Sequence, residues 1–143
     1  MEKYIEMRKR HQQEVNSLPL MFAYSNEQFD EGMRKLGLEP DQIDKIYRLG
    51  DQNCFYKKTD SELIFSTFDK HEKEQQEAMQ NDDFVQSMFE YELANHEWQI
   101  SRDDEEVLDA CGLSENELDE RLAQIWEKAK SVFWKKCIKN DWF

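Results

Sequence analysis

Chain breakers are scarce in this sequence: four glycines and two prolines among 143 residues. An all-β sandwich needs many tight turns, so that scarcity sets such folds aside. Placement matters as much as number. Gly37, Gly50 and Gly112 each follow a stretch with apolar periodicity, where a glycine commonly ends a helix. Between these stops Glu, Gln, Lys, Leu, Met and Ala dominate, and these are the stronger helix formers. The expected fold class is therefore mainly α: a single domain over residues 1–143, a bundle of about six helices. The expected departure is a small two-stranded β-ribbon that pairs Met21–Tyr24 with Cys54–Tyr56.

Met1 to Asn16 reads as a helix, with Tyr4, Ile5, Met7 or Arg8, His11 and Val15 at helical spacing. Ser17–Tyr24 is apolar around Pro19 and reads as extended. Ser25 and Gln28 form a capping box for a helix carrying Phe29, Met33 and Leu36. Pro40 suits the first turn of a further helix, with Ile43, Ile46, Tyr47 and Leu49 inward and Gly50 as its stop. Asp60 caps a long helix that buries Leu63, Ile64, Phe68 and Met79 and leaves its polar centre, Asp69–Gln76, solvated. After a break at Asn81–Asp83, Phe84, Met88 and Tyr91 form one apolar edge and Val85, Phe89, Leu93 and Trp98 another, which marks a central helix. Ser101 caps a shorter helix ending at Gly112. Ser114 and Glu117 open the last helix, built on Leu118, Leu122, Ile125, Trp126, Ala129, Val132 and Phe133.

Charge is distributed unevenly. Between Asp60 and Glu106 stand fifteen carboxylates against three basic side chains. Nucleic acid and anionic membrane both call for a basic footprint, so neither is an expected direct partner. The corner before Leu118 superficially fits a helix-turn-helix, but its would-be reading segment, Glu115–Gln124, holds four carboxylates and one Arg. It reads as packing instead. The expected partner is a basic protein surface, with Glu72, Glu74, Glu77, Asp82, Asp83, Asp103, Asp104, Glu105 and Glu106 as its contacts. Lys128–Phe143 reverses the charge to net +4, with Trp134, Trp142 and Phe143 interleaved. This end reads as a docked helix whose lysines favour its dipole and meet the acidic middle. A homo-oligomer, in which that helix meets the acidic middle of another copy, is the alternative arrangement.

Glu92 and His96 lie one helical turn apart, and His71 with Glu72 offers a second pair. Carboxylate and imidazole from two helices can hold a metal ion, so His71, Glu92 and His96 are the alternative metal site. The spacing matches neither the Glu-x-x-His of di-iron proteins nor the His-Glu-x-x-His of zinc hydrolases. In a chain with 32 acids such a pair arises cheaply. The plainer reading is no metal and no cofactor, with His96 bonded to a carboxylate or carbonyl. The chain has no Gly-rich phosphate loop, Ser elbow or calcium loop, so no catalytic residue is assigned and a non-enzymatic role is expected. Cys54, Cys111 and Cys137 are odd in number and lack metal spacing. With no secretory pattern at the start and no apolar run of ~20 residues, they read as reduced thiols of a cytoplasmic protein.

Ser17–Phe29 (SLPLMFAYSNEQF), Gly32-Met33, Leu36-Gly37-Leu38, Phe55–Asp60 (FYKKTD) and Tyr91–Glu97 carry a resemblance. Over roughly Gln12 to Leu118 the chain resembles an uncharacterised family of small acidic proteins from phages and mobile elements of Gram-positive bacteria. That resemblance brings no catalytic residues. It implies an accessory role, and small acidic phage proteins often inhibit host defence, some by mimicking DNA phosphates. Helical carboxylates at i and i+4 lie about 5–6 Å apart, on the scale of successive phosphates. The expected function is thus an anti-defence inhibitor, of anti-CRISPR or anti-restriction type, acting on a nucleic-acid-handling host protein.

Overall fold

The computed structural model of the chain describes residues 2–143. Met1, where the sequence reading opens the first helix, lies outside them. The described residues form seven α-helices and a three-stranded antiparallel sheet. In chain order these are α1 (Tyr4–Asn16), β1 (Met21–Phe22), α2 (Asn26–Lys35), β2 (Ile46–Arg48), β3 (Cys54–Lys57), α3 (Ser61–Ala78), α4 (Asp82–Asn95), α5 (Trp98–Ser101), α6 (Asp104–Ala110) and α7 (Glu120–Asn140). The mainly helical class expected from the sequence holds. The chain packs as two compact units, a larger one from Met1–Lys9 with Glu74–Phe143 and a smaller one from Arg10–Lys73.

The larger unit is organised around α4, as its two apolar edges predict. Asn81 starts the helix by accepting a hydrogen bond from the Phe84 N–H at 3.0 Å. Val85, Met88, Phe89 and Leu93 are buried to 0 % exposure against Trp126, Ala129, Phe133 and Cys137 of α7. The Phe89 and Trp126 rings meet edge to face, 5.0 Å between centroids. Val107, Leu108, Tyr4 and Met7 close the same cluster. Two helix starts differ from the sequence reading. Asp103, not Ser101, caps α6, and Ser101 instead accepts from the Asp103 N–H. Ser114 does bond Glu117, at 2.8 Å, but the pair opens only a single 3₁₀ turn. Leu118 then turns extended, and α7 restarts behind Asp119, whose carboxylate accepts from the Leu122 N–H at 2.8 Å.

In the smaller unit the expected ribbon is present, with Met21 opposite Phe55 and Phe22 opposite Cys54. A third strand, β2, flanks β3 on the other side, with Tyr47 opposite Tyr56. The helix expected after Pro40 is therefore corrected to one 3₁₀ turn, Ile43–Lys45, followed by β2, and Gly50 sits in the hairpin turn. A helix of that length is marginal alone, whereas cross-strand aromatic pairing stabilises the hairpin. Ile43, expected inward, is exposed. The long helix is likewise not capped by Asp60, which belongs to a 3₁₀ turn over Lys58–Asp60, and Leu63 is exposed while Ile64 is buried.

The Ser25 box forms with a shift. Ser25 Oγ accepts from the Gln28 N–H at 3.2 Å, but Gln28 Oε1 accepts from Tyr24 rather than Ser25, at 2.8 Å. At the other end of α2, Gly37 takes φ +80° and Leu38 N–H reaches back to Met33 C=O at 2.9 Å, closing a Schellman turn. Gly32 lets α2 press onto β1: a Cβ there would stand 2.1 Å from Met21 Cγ.

Candidate partner-binding surface

The carboxylates singled out in the sequence have unequal fates. Asp82 receives Arg121 Nε at 2.6 Å, and the same guanidinium donates to Met79 C=O at 2.7 Å. Asp103 is spent as a helix cap. Asp104 accepts from Trp98 Nε1 at 2.7 Å and from Lys130 Nζ at 3.1 Å. Glu106 lies 2.9 Å from His96 Nδ1. Glu74 is half-buried, and Glu72 is exposed on the smaller unit. Glu77, Asp83 and Glu105 remain: all three are exposed on the larger unit with no side-chain partner among the described residues. Glu97 and Asp109 share that condition and were not singled out. Their i, i+4 relation, Glu105 to Asp109 along α6, was visible in the sequence.

The terminal helix uses part of its basic charge internally. Lys130 holds Asp104 and Glu127, each at 3.1 Å, and Lys136 holds Glu90 at 2.9 Å. Burial disfavours the Lys130 charge, but the bonds to Asp104 and Glu127 outweigh it and hold the ammonium above its ordinary pKa. Lys135 and Lys139 are exposed and reach no carboxylate among the described residues. Counting paired and unpaired groups together, the larger unit carries twenty carboxylates against ten basic side chains, net −10, where the smaller has twelve against nine.

The three residues of the alternative metal site have separate partners. Glu92 is 2 % exposed and accepts from Tyr4 Oη at 3.0 Å and Asn95 Nδ2 at 3.1 Å, with Arg8 Nη1 at 4.0 Å. Burial, then the Glu92 charge, pushes the Tyr4 hydroxyl well above the usual tyrosine range. The same two causes push the Cys111 thiol up to about 12, so it is not a ready nucleophile. His96 pairs with Glu106, and His71 belongs to the smaller unit. Among the described residues no three His, Cys, Asp or Glu side chains are grouped to hold a metal ion.

His71 is nonetheless the centre of a cluster the sequence did not announce. It is buried in the polar stretch expected to be solvated. Its Nε2 pairs with Glu14 Oε2, and its ring stacks on His11 with centroids 3.9 Å apart and planes within 11°. Arg10 and Lys70 approach the same carboxylate at 3.7 and 3.4 Å. The hydrogen bond from His71, then Lys70, holds the Glu14 carboxyl below the usual range, although desolvation opposes them.

Together these features define a small acidic helical protein in two units, with a carboxylate surface that is only partly neutralised from within. The chain belongs to DUF7659, a family of unknown function, whose profile covers residues 3–132. That match spans both units and stops inside α7. No curated protein and no solved structure matches the chain. No helix among the described residues is long and apolar enough to cross a membrane.

Proposed function

We propose that this is a non-enzymatic protein that binds a basic protein surface through the carboxylates of its larger unit. One observation carries the reading. After the internal ion pairs are made, Glu77, Asp83 and Glu105 still stand exposed and without partners on a unit of net −10. Like charges held together repel one another and destabilise the compact state, and a complementary basic surface removes that repulsion. The concrete version is an anti-defence role for a mobile element in the cytoplasm. There the carboxylates would occupy the phosphate track of a nuclease or another nucleic-acid-handling host protein. The resemblance of the Ser17–Phe29 and Tyr91–Glu97 words to small acidic phage proteins supports that version.

Affinity capture from a Gram-positive host lysate tests the reading, with a Glu77→Lys/Asp83→Lys/Glu105→Lys bait as control. A basic protein retained by the natural chain and lost from the control is the expected result. Its affinity should then fall steeply with added salt, because exposed charges are screened over about 8 Å at physiological ionic strength. An affinity indifferent to salt would end the phosphate-mimicry version.

A further inference from the structure

We infer that the outer face at the end of α7 is a second docking surface, and that its occupant is α6 of another copy of this chain. Lys135, Ile138 and Lys139 stand at i, i+3 and i+4 of α7 and so fall along one stripe, and Trp142 follows just beyond the helix end. Ile138 is 60 % and Trp142 47 % exposed, although most apolar side chains of α7 are in the core. Nor is the stripe a frayed tail. Asp141 takes a left-handed φ of 53°, and Trp142 N–H then folds back to Cys137 C=O at 3.0 Å. Gln99 Nε2 fixes the Trp142 carbonyl at 2.8 Å, and Phe143 rests edge-on against Trp134, 5.3 Å between centroids. The surface is held in place before anything docks, which lowers the entropic cost of binding.

Charge selects the occupant. Lys130 and Lys136 find carboxylates within the larger unit, whereas Lys135 and Lys139 find none among the described residues. On α6, Glu105 and Asp109 are the converse: two exposed carboxylates one turn apart, without partners. Both pairs have the i, i+4 spacing of about 5–6 Å, so two ammonium groups can face two carboxylates in register. Ile138 and Trp142 add apolar contact that salt does not screen. A nucleic acid or anionic membrane presents unbroken negative charge to a net −13 chain, whereas a second copy, though also net −13, carries basic side chains among its carboxylates, and salt screens the long-range repulsion between copies. Because α7 of one copy meets α6 of another, the contact either forms twice across a two-fold axis in a dimer or runs head-to-tail into rings or filaments.

Glu105 also belongs to the proposed partner surface, so a basic partner and a second copy compete for α6. Lys135→Glu/Lys139→Glu leaves the acidic surface intact, which separates failure of this inference from failure of the proposed function. Sedimentation of the full chain at rising concentration, in about 0.15 M salt so that long-range repulsion is screened, provides the test. The natural chain should grow in mass with concentration. Lys135→Glu/Lys139→Glu and Glu105→Lys/Asp109→Lys should each stay monomeric, and an equimolar mixture of the two should assemble again. A natural chain that stays monomeric overturns the inference. So does assembly unchanged in either variant, or a mixture that remains monomeric. Sedimentation of the natural chain with phosphatidylserine vesicles, in place of self-assembly, would assign the stripe to a membrane and overturn it equally.

Discussion

The larger unit gathers sixteen buried side chains into one apolar cluster, whereas the main cluster of the smaller unit buries three, Met21, Ala23 and Met33. The smaller unit adds polar fastening, with His71 held between Glu14 and His11 and a hairpin closed by hydrogen bonds. Charge follows the same division, net −10 on the unit with the deep core and −3 on the other. A large apolar core tolerates surface self-repulsion that a small one does not. The carboxylate surface thus sits on the part of the molecule best able to keep its shape while bearing it.

The sharpest challenge to that contrast is Phe89→Ala. It removes a fully buried ring beside Trp126 and should cost about 3–5 kcal/mol by chemical denaturation. Gly32→Ala should act on the smaller unit. Crowding Met21 costs about 1–3 kcal/mol, and the better helix propensity of Ala returns at most about 1 kcal/mol. Hydrogen exchange should show the loss in α2 and β1. If Gly32→Ala costs as much as Phe89→Ala, the two units are not held so differently.

Acid then probes the polar fastening. A carboxyl with a depressed pKa adds stability above its unfolded value, near ~4.3, and that stability fades as pH falls through the lower folded value. The natural chain should therefore out-melt Glu14→Gln at pH 7, and the gap should close in the acid range below that value. A gap that persists there would remove Glu14 from the account. The smallest effect belongs to Lys130→Gln. The raised Lys130 pKa gives stability that is present below the unfolded value of ~10.4 and lost as pH rises through the folded one. The difference between Lys130→Gln and the natural chain should hold through neutral pH and disappear only in strong alkali.

What could be read in advance divides along the same line. The apolar edges of α4 and α7 repeat every three to four residues, so periodicity reveals both the helices and their buried faces. The Ser25 start, the Gly37 stop and the ribbon of Met21 with Phe55 were also legible, because local turn chemistry and a short apolar run carry them. The strand at Ile46–Arg48 was not, since three residues hold no period and only β3 makes them a strand. His71 was named only as a possible metal ligand, and its burial against Glu14 was invisible for a related reason. Its partner Glu14 stands 57 positions away, and a polar side chain that meets another polar side chain leaves no hydrophobic trace. The nine candidate carboxylates were the mixed case. Their number was plain in the sequence, but Arg121 taking Asp82 and Lys130 taking Asp104 are tertiary events.

Trp98, Trp126, Trp134 and Trp142 all lie in the larger unit, and the smaller has only tyrosines and phenylalanines. Indole emission from this protein is therefore a private signal of one half. Arg102 lies 3.9 Å from the Trp134 ring centroid and Trp126 sits deep against Phe89, so the fluorophores differ in their surroundings. A thermal transition followed in that light will report α4 and α7 coming apart. The smaller unit, with its sheet and the His11–His71 pair of α1 and α3, holds no indole to report its own melting.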